Sequence, residues 1–337
     1  MYIALRDQLK HYFYKKPFIW KGLETLQGLQ YWWEYQYYYN WKLAPNKSSI
    51  REVNVEFSSA CNLRCQFCGL DHEKPKTLMS VELLQNLLDT LLNDPHFSKV
   101  QVLNLYNGGE TLLHPKRLEL FELIAEYKKR AQREKKHFPE IWMVTNGMLL
   151  REKLSAQLLE MDVLDHLRLS LDGGTPERFE ELRVNAKWKV FNQNVKTFCE
   201  LNNKRQRKVK VSSITIVDDD KPLNTSWMHP EFLELLDLMD HKELRRAHNW
   251  AGDIEAGLVK EKNHKMGCGM LMHQMVLLPN GDVTVCCNDL NSKGVVGNLN
   301  KQSLLDVCNG EERRKYLYLL LKNRKKELPL CAECETF

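Results

Sequence analysis

Six strand-like segments alternate with helix-like segments between residues 51 and 250. The predicted strands cover residues 53–59, 100–106, 141–145, 166–171, 209–217 and 243–250. The segments between them repeat apolar side chains at helical spacing, as in Leu83, Leu87 and Leu91. This alternation predicts an α/β fold with a parallel sheet, either open or partly closed into a barrel.

Three cysteines follow the first predicted strand at a spacing that suits an iron–sulfur cluster. Cys61, Cys65 and Cys68 leave three and then two residues between thiols, so one short loop can wrap a four-iron cluster. Three thiolates cannot ligate four irons, and the fourth iron stays open or takes another ligand. A zinc knuckle is the alternative, but zinc sites favour two paired Cys-x2-Cys units.

Turns that contain glycine follow the next three predicted strands, at 107–110, 145–147 and 170–173. A Gly-Gly pair allows a backbone to approach a ligand closely. Glycine after a strand is also a common turn residue, so each turn alone indicates little. Parallel sheets place their chemistry at this edge, and the turns share it with the cysteine loop, which indicates a ligand site there.

The Cys-x3-Cys-x2-Cys loop resembles that of the radical SAM superfamily, in which a [4Fe–4S] cluster binds S-adenosylmethionine at its open iron. The resemblance implies a partial (β/α)6 barrel and cleavage of S-adenosylmethionine to a 5′-deoxyadenosyl radical that abstracts hydrogen from a substrate. It also implies an external low-potential electron donor such as flavodoxin or ferredoxin. The residues implied to contact S-adenosylmethionine are Phe67, Gly108, Gly109, Glu110, Ser170 and Asp172. Thr111 replaces the proline that usually follows the Gly-Gly-Glu turn.

A second group of cysteines follows residue 265. Its members are Cys268, Cys286, Cys287, Cys308, Cys331 and Cys334. The turn Pro279-Asn280-Gly281-Asp282 predicts a β-hairpin between the first two cysteines, and the last two form a Cys-x2-Cys. Thiols from these segments can enclose one metal centre, which on chemistry alone is either zinc or an iron–sulfur cluster.

This C-terminal segment resembles the SPASM/twitch extension of radical SAM enzymes, with Cys268, Gly281 and Cys286 at matching positions. The sequence has no further cysteines after Cys334, so the resemblance implies a single auxiliary [4Fe–4S] cluster. Its implied ligands are Cys268, Cys286, Cys331 and Cys334, with Cys287 able to replace Cys286. Otherwise Cys287 is predicted to be a packing residue, as are Cys199 and Cys308. The overall spacing is most similar to that of the 2-deoxy-scyllo-inosamine dehydrogenases, which oxidise a cyclitol alcohol.

Residues 1–50 hold 14 of the 32 aromatic residues of the chain. Trp and Tyr interleaved with Lys15, Lys16, Lys21 and Lys42 are compatible with a helix at a membrane surface. The aromatic residues do not share one helical face, which favours a helical cap packed on the barrel exterior.

Bulk properties exclude several classes of protein. No apolar stretch has the length of a membrane span, and the N-terminus lacks a signal-peptide core. The cysteines are therefore expected to be reduced ligands in the cytoplasm. A formal net charge of +5 on 337 residues does not indicate nucleic-acid binding. The predicted organisation is a cap (1–50), a barrel (51–255) and an auxiliary-cluster domain (256–337).

The expected function is a radical SAM oxidoreductase that dehydrogenates or epimerises a small metabolite such as a sugar or cyclitol. The alternative substrate is a ribosomal peptide. A non-catalytic iron–sulfur or zinc protein, serving as electron carrier or sensor, is the alternative from another class. His248 and Trp250, at the end of the sixth predicted strand, are the candidate catalytic residues between the two metal sites.

Overall fold

A computed structural model describes residues 17–39, 47–255 and 267–335 of the chain. Sequence predictions that concern Lys15, Lys16, Lys42 and the boundary at residue 256 lie outside the described residues, as does the side chain of Lys21. No helix in these ranges is sufficiently long and apolar to cross a membrane.

Nine strands within the described ranges form one sheet, and two short strands form a separate ribbon. The strands are β1 (Glu52–Val55), β2 (Arg64–Cys65), β3 (Val102–Leu105), β4 (Glu140–Thr145), β5 (His166–Ser170), β6 (Arg183–Val184), β7 (Lys210–Ile216), β8 (His241–Arg245), β9 (Gln274–Leu277), β10 (Asp282–Thr284) and β11 (Val295–Asn298). The sheet has the order β11-β10-β9-β1-β3-β4-β5-β7-β8, and β1, β3, β4, β5, β7 and β8 run parallel. The predicted α/β fold with six parallel strands is confirmed.

Helices pack on the outer face of this sheet and on the C-terminal segment. They are α1 (Pro17–Tyr39), α2 (Val81–Asn93), α3 (Arg117–Glu134), α4 (Glu152–Met161), α5 (Pro176–Leu182), α6 (Trp188–Asn203), α7 (Pro230–Asp237), α8 (Gly269–His273), α9 (Leu304–Asn309) and α10 (Glu311–Leu321). The leucine stripe that predicted α2 is buried, and the Ser80 side chain caps the first turn of this helix. Helix burial therefore follows the apolar spacing of the sequence.

The inner face of the parallel strands is polar. Val53 and Val55 of β1 pack into the main core, so Glu52, Asn54 and the following Glu56 lie on the opposite face of the sheet. Asn104 pairs in register with Asn54. The same face also carries a small apolar cluster of Val276, Leu278 and Cys287, against which Tyr106 packs.

The sixth strand was predicted to reach residue 250, but β8 ends at Arg245. The chain leaves the sheet because it turns toward the C-terminus: the Asn249 side-chain amide donates to the Glu333 carbonyl at 2.6 Å. Trp250 and Ala251 then adopt positive φ angles. The predicted strand was therefore wrong after Arg245, because Asn249 bonds to the distant Glu333 carbonyl instead of continuing the sheet.

The predicted C-terminal hairpin is confirmed as β9 and β10, and Gly281 in its turn has a φ of +88°. The hairpin does not form a sheet of its own. Strand β9 pairs in parallel with β1, with Glu52 opposite Gln274. The segment with the second cysteine group is therefore joined to the barrel sheet through the strand that leads into the first cysteine loop.

Helix α1 packs mainly on the C-terminal segment, and it also contacts the predicted barrel through Tyr38 with Lys99 and Glu34 with Arg51. The Tyr39 hydroxyl lies 2.5 Å from Ser49 Oγ, and the buried Arg313 guanidinium of α10 lies 4.8 Å from the Tyr39 ring. Glu34 bonds to His273 of α8 at 2.5 Å. The apolar pattern of α1 does not determine which apolar surface the helix packs on. These polar contacts determine it, and they hold the helix against α8 and α10.

Candidate active site

The first cysteine loop is held by a short β-ribbon. Strand β2 pairs antiparallel with β6, which places Cys65 opposite Arg183. The Cys68 amide donates to the Cys65 carbonyl at 3.1 Å, and the Leu63 amide lies 3.5 Å from Cys61 Sγ. The three thiols are half-buried and close enough to raise the pKa of Cys61 through their mutual repulsion, although burial is the larger cause.

The charge balance of this loop suits a cluster with a cationic iron–sulfur core. Burial and, to a smaller extent, the nearby Glu110 carboxylate together raise the pKa of Cys61 to about 12. Thiolates at such a site form only when positive charge compensates them. Iron bound by the three thiols supplies that charge, so Cys61, Cys65 and Cys68 fit the [4Fe–4S] cluster that the sequence predicts.

Arg183 is a site residue that the sequence did not reveal. Burial lowers the pKa of its guanidinium, but the Cys65 thiol and the Asp172 carboxylate outweigh that effect and raise it overall. The Asp172 carboxylate accepts from Arg183 and from the Ile216 amide. Both oxygens of Asp172, which was predicted to contact S-adenosylmethionine, thus have internal partners, whereas Ser170 is half-exposed at the end of β5.

The Gly-Gly-Glu turn lies against the strand that leads to the cysteines. A Cβ atom on Gly109 would overlap the Ser58 carbonyl oxygen, so only glycine fits there. The Gly109 amide donates to Glu56 Oε1 at 2.7 Å, and the Glu110 amide donates to the Ala60 carbonyl at 2.9 Å. The turn is therefore fixed directly beside the cysteine loop.

Glu110 braces this edge of the sheet. Its buried carboxylate accepts from Thr145 Oγ1 at 2.8 Å and from the amides of Asn146 at 2.9 Å and Leu112 at 3.1 Å. Thr111 donates from its hydroxyl to the Leu105 carbonyl at 2.9 Å, so this residue closes the turn where proline is usual. The Glu110 side chain thus joins the ends of β3 and β4.

Glu56 is the second residue that sequence reasoning missed. Burial raises the pKa of its carboxyl to about 7, although Lys74 and the Gly109 amide partly offset that effect. The available signal was an acidic residue inside the apolar segment VNVEFSS. An acid on a strand that is otherwise buried indicates a polar interior site.

The second cysteine group surrounds an enclosed cavity. Its lining consists of Cys268, Cys286, Cys331 and Cys334 with Ala251, Met270, Leu271, Asn288, Leu320, Lys325 and Leu330. Burial raises the pKa of Cys331 to about 12, and the Leu271 amide lies 3.4 Å from Cys268 Sγ. Four thiols that line one cavity among aliphatic side chains fit a cluster of several metal ions. They are too far apart to hold a single ion, and no other group of three Cys, His, Asp or Glu side chains in the described ranges is close enough to do so.

The other cysteines lie elsewhere. Cys287 is buried outside the cavity lining, so the structure presents Cys286 to the cavity. Cys199 packs in the core from α6, and Cys308 is buried 3.5 Å from Ser48 Oγ. These positions agree with packing roles for Cys199 and Cys308.

The segment 248–250 connects the two cysteine sites. Trp250 donates from Nε1 to the Phe67 carbonyl of the first loop at 2.7 Å, and its ring lies 4.2 Å from the His248 ring. Burial and the Arg245 guanidinium lower the pKa of His248 to about 4, partly offset by a hydrogen bond with Asn288 of the cavity lining. The catalytic role of His248 and Trp250 stays a prediction. The structure places Trp250 beside the first cysteine loop and His248 beside the lining of the second site.

Six polar side chains lie on, or directly after, the inner face of β1, β3, β5 and β8, and we name the polar interior that they line the chamber. They are Glu52, Asn54, Asn104, Tyr106, Arg168 and Arg245. The charge of Arg168 acts on Glu52, and those of Glu52 and Arg245 act on Tyr106, whose pKa is raised by burial and by Cys287. These interactions connect Glu52, Asn104, Tyr106, Arg168 and Arg245 to one another, and Asn54 lies opposite Asn104 in the sheet register.

Two family models match the chain. The radical SAM superfamily model covers residues 55–221, and the SPASM model, described as an iron-sulfur cluster-binding domain, covers residues 268–335. The chain therefore belongs to the radical SAM superfamily of iron–sulfur enzymes. Its cofactors are a [4Fe–4S] cluster with S-adenosylmethionine and an auxiliary iron–sulfur cluster, which decides the second site in favour of iron over zinc.

Curated relatives cover different shares of the chain. A serine-type anaerobic sulfatase-maturating enzyme of Bacteroides thetaiotaomicron is 30% identical over 52% of this chain and 41% of its own length. The chain also spans 41% of the GTP 3′,8-cyclase of Microcystis aeruginosa. An S-adenosyl-L-methionine-dependent 2-deoxy-scyllo-inosamine dehydrogenase of Niallia circulans is 23% identical over 84% of this chain and 91% of its own length.

Solved structures share the fold. The crystal structure of BtrN in complex with AdoMet and 2-DOIA has a TM-score of 0.58 at 17% identity and covers 86% of this chain and 94% of that one. SuiB of Streptococcus suis bound to precursor peptide SuiA has a TM-score of 0.62 at 16% identity and covers 86% and 71%. At such identity the likeness shows the fold alone.

Proposed function

We propose that this enzyme is an oxidoreductase that dehydrogenates a small, hydroxyl-rich metabolite such as a sugar or cyclitol. The observation that supports the proposal is the chamber, where side-chain donors and acceptors lie together on the inner face of the sheet. The dehydrogenase of Niallia circulans, which matches across most of both chains, supports the same reaction class.

Asn54 is the most informative residue of the chamber. It is fully buried, and neither atom of its side-chain amide has a hydrogen-bond partner among the described residues. The Asn104 side-chain oxygen and the Nε atoms of Arg168 and Arg245 are likewise without partners there. Unpaired buried polar groups cost stability, so a ligand that pairs with them recovers that free energy on binding.

The mixed charge of the chamber favours a polar ligand over an apolar one. Glu52 accepts from Asn104 Nδ2 at 3.4 Å, and Arg168 and Arg245 contribute two guanidinium groups. Amide, carboxylate and guanidinium groups together can pair with several hydroxyls of one small molecule. When bound, the first cluster and S-adenosylmethionine supply the hydrogen-abstracting radical, and the auxiliary cluster supplies a second redox centre.

The test is product formation by anaerobically reconstituted enzyme with S-adenosylmethionine, a strong reductant and a panel of sugars, cyclitols and ribosomal precursor peptides. Peptides belong in the panel because the sulfatase-maturating relative and the peptide-bound SuiB structure support a peptide as the alternative substrate. Oxidised cyclitol or sugar supports the proposal. Turnover of a peptide alone contradicts it, and absence of 5′-deoxyadenosine with every substrate would indicate a carrier or sensor.

Asn54→Leu sharpens the test because the two side chains have similar volumes. We expect product formation to fall by about tenfold or more, while thermal stability does not fall, since an unpaired polar group is removed. The control is Asn203→Leu at the exposed end of α6, which should leave product formation unchanged. Equal activity of both variants would exclude the chamber as the substrate site.

Epimerisation is the second candidate, and Cys287 is the observation that favours it. This buried thiol interacts with the Tyr106 side chain of the chamber rather than lining the auxiliary cavity. A thiol there can donate a hydrogen atom to a carbon-centred substrate radical, and one electron and one proton from the external donor and solvent then restore it. An epimerase would incorporate solvent deuterium into product and lose that activity in Cys287→Ser, whereas a dehydrogenase would not incorporate deuterium.

A further inference from the structure

Helix α1 has two apolar faces on opposite sides. Gly28, Tyr31 and Tyr39 are buried on one side against the C-terminal segment. The other side exposes Leu26 (63%), Leu29 (48%), Trp33 (66%) and Tyr37 (51%). This second set follows helical spacing of three, four and four residues and forms a single stripe, which we name the outer stripe.

The outer stripe explains why the aromatic residues of this segment did not fit one helical face. An apolar pattern on both sides of a helix is expected where both sides are covered, and only one is covered within the described residues. Leu23 and Trp32 are exposed beside the stripe. Large exposed apolar patches of this kind mark interaction sites.

Two lysines lie at the Tyr37 end of the outer stripe. Lys47 Nζ lies 4.3 Å from the centre of the Tyr37 ring and donates to its hydroxyl at 3.0 Å, and Lys99 donates to Tyr38 at 3.3 Å. Glu34 is turned away from the stripe toward His273. Residues 1–50 as a whole contain seven Lys and Arg against three Asp and Glu.

We propose that the outer stripe docks on an anionic lipid bilayer and holds the enzyme at a membrane surface. Trp and Tyr place an apolar ring and a polar atom at headgroup depth, Leu side chains enter the acyl boundary, and lysines pair with anionic headgroups. A second copy of the chain is the competing occupant. The bilayer is favoured because the two lysines at the Tyr37 end complement anionic lipid, whereas two copies would bring like charges together.

The contacts of the inner face make this docking productive. Tyr39 and Arg313 fix α1 to α10, and Glu34 fixes it to α8. The outer stripe therefore projects from a folded body rather than from a free tail. Docking through it places the auxiliary-cluster side of the enzyme near the membrane, which is independent of the substrate proposed above.

The experiment is vesicle flotation of the full-length reconstituted enzyme. The probes are vesicles of phosphatidylcholine alone and of phosphatidylcholine mixed with phosphatidylglycerol, at low and high salt. We expect the wild type to float with the anionic vesicles and to dissociate as salt screens the charges. The double variant Leu26→Ser/Trp33→Ser should bind the anionic vesicles at least about tenfold more weakly than the wild type. Its cleavage of S-adenosylmethionine should be unchanged.

Leu223→Ser is the matched control, because it removes an equally exposed leucine from a different surface and should float like the wild type. Light scattering after size-exclusion chromatography completes the test. Failure of the wild type to float, or equal flotation of the double variant, overturns the proposal. A wild-type dimer that the double variant converts to a monomer assigns the stripe to a second copy and also overturns it.

Discussion

The two metal sites of this enzyme are built in opposite ways. The first takes its three cysteines from one loop of eight residues, Cys61 to Cys68. The second gathers thiols from the start of α8, the end of a hairpin and a C-terminal turn. A single loop fixes its ligands locally, whereas the second set converges only when the hairpin and the C-terminus have packed.

Their surroundings differ as well. Thiols of the first site are half-buried beside glycine-containing turns, a buried arginine and three buried acids, so a polar ligand has access. The second site is enclosed mainly by aliphatic side chains. The comparison teaches that the open site is suited to bind S-adenosylmethionine and the closed site to hold a cluster away from solvent.

The largest expected effect comes from removing the open site. Simultaneous Cys61→Ala, Cys65→Ala and Cys68→Ala should reduce iron from about eight to about four per chain, because only the auxiliary cluster remains. Formation of 5′-deoxyadenosine should disappear altogether. Iron analysis and chromatography of the reaction measure both, and any remaining 5′-deoxyadenosine would remove these cysteines from the proposed role.

Disrupting the closed site should separate the two chemistries. Cys331→Ala or Cys334→Ala should leave about four irons per chain and preserve cleavage of S-adenosylmethionine, while oxidised product is lost. Cys308→Ala, a buried thiol outside the cavity, is the matched control and should retain both clusters. Retention of about eight irons in Cys331→Ala would show that the cavity is not closed by this residue.

Breaking the buried ion pair beside the open site should lower stability. Arg183→Met leaves the Asp172 carboxylate buried without its cation, and we expect the free energy of unfolding to fall by about 3–5 kcal/mol. Arg207→Met removes an arginine that is half-exposed and should cost less than about 1 kcal/mol. Urea unfolding of the two apoproteins compares them, and equal stability would show that Asp172 does not depend on Arg183.

The smallest expected effect is the pH dependence that Glu56 gives to the open site. Because its pKa is raised in the folded state to about 7, the folded protein binds an extra proton, and stability falls as pH rises from about 4.5 to about 7. Glu56→Gln removes this contribution. The free energy of unfolding of the variant minus that of the wild type should therefore be about 3 kcal/mol larger at pH 8 than at pH 4. Parallel urea curves at these pH values measure it. A difference between the two proteins that does not change with pH would contradict the raised pKa.

Local patterns determined much of this molecule. The spacing of Cys61, Cys65 and Cys68 predicts a cluster loop because neighbours in sequence are confined to neighbouring positions in space. Leucine spacing likewise predicted α2, and the turn at Gly281 predicted the hairpin, since each depends on residues within a few positions. The parallel direction of the six strands followed from their alternation with helices.

Tertiary structure alone decided the rest. Two contacts join segments far apart in the chain, namely the pairing of β9 with β1 and the hydrogen bond between Asn249 and Glu333. The burial of Glu56, Asn54 and Arg183 likewise depends on segments that are distant in sequence. Helix α1 shows the limit most clearly, because its sequence is apolar on both sides and permits either side to face the protein. Which side is buried depends on partners such as Arg313 and His273, whose positions are set by packing rather than by any local pattern.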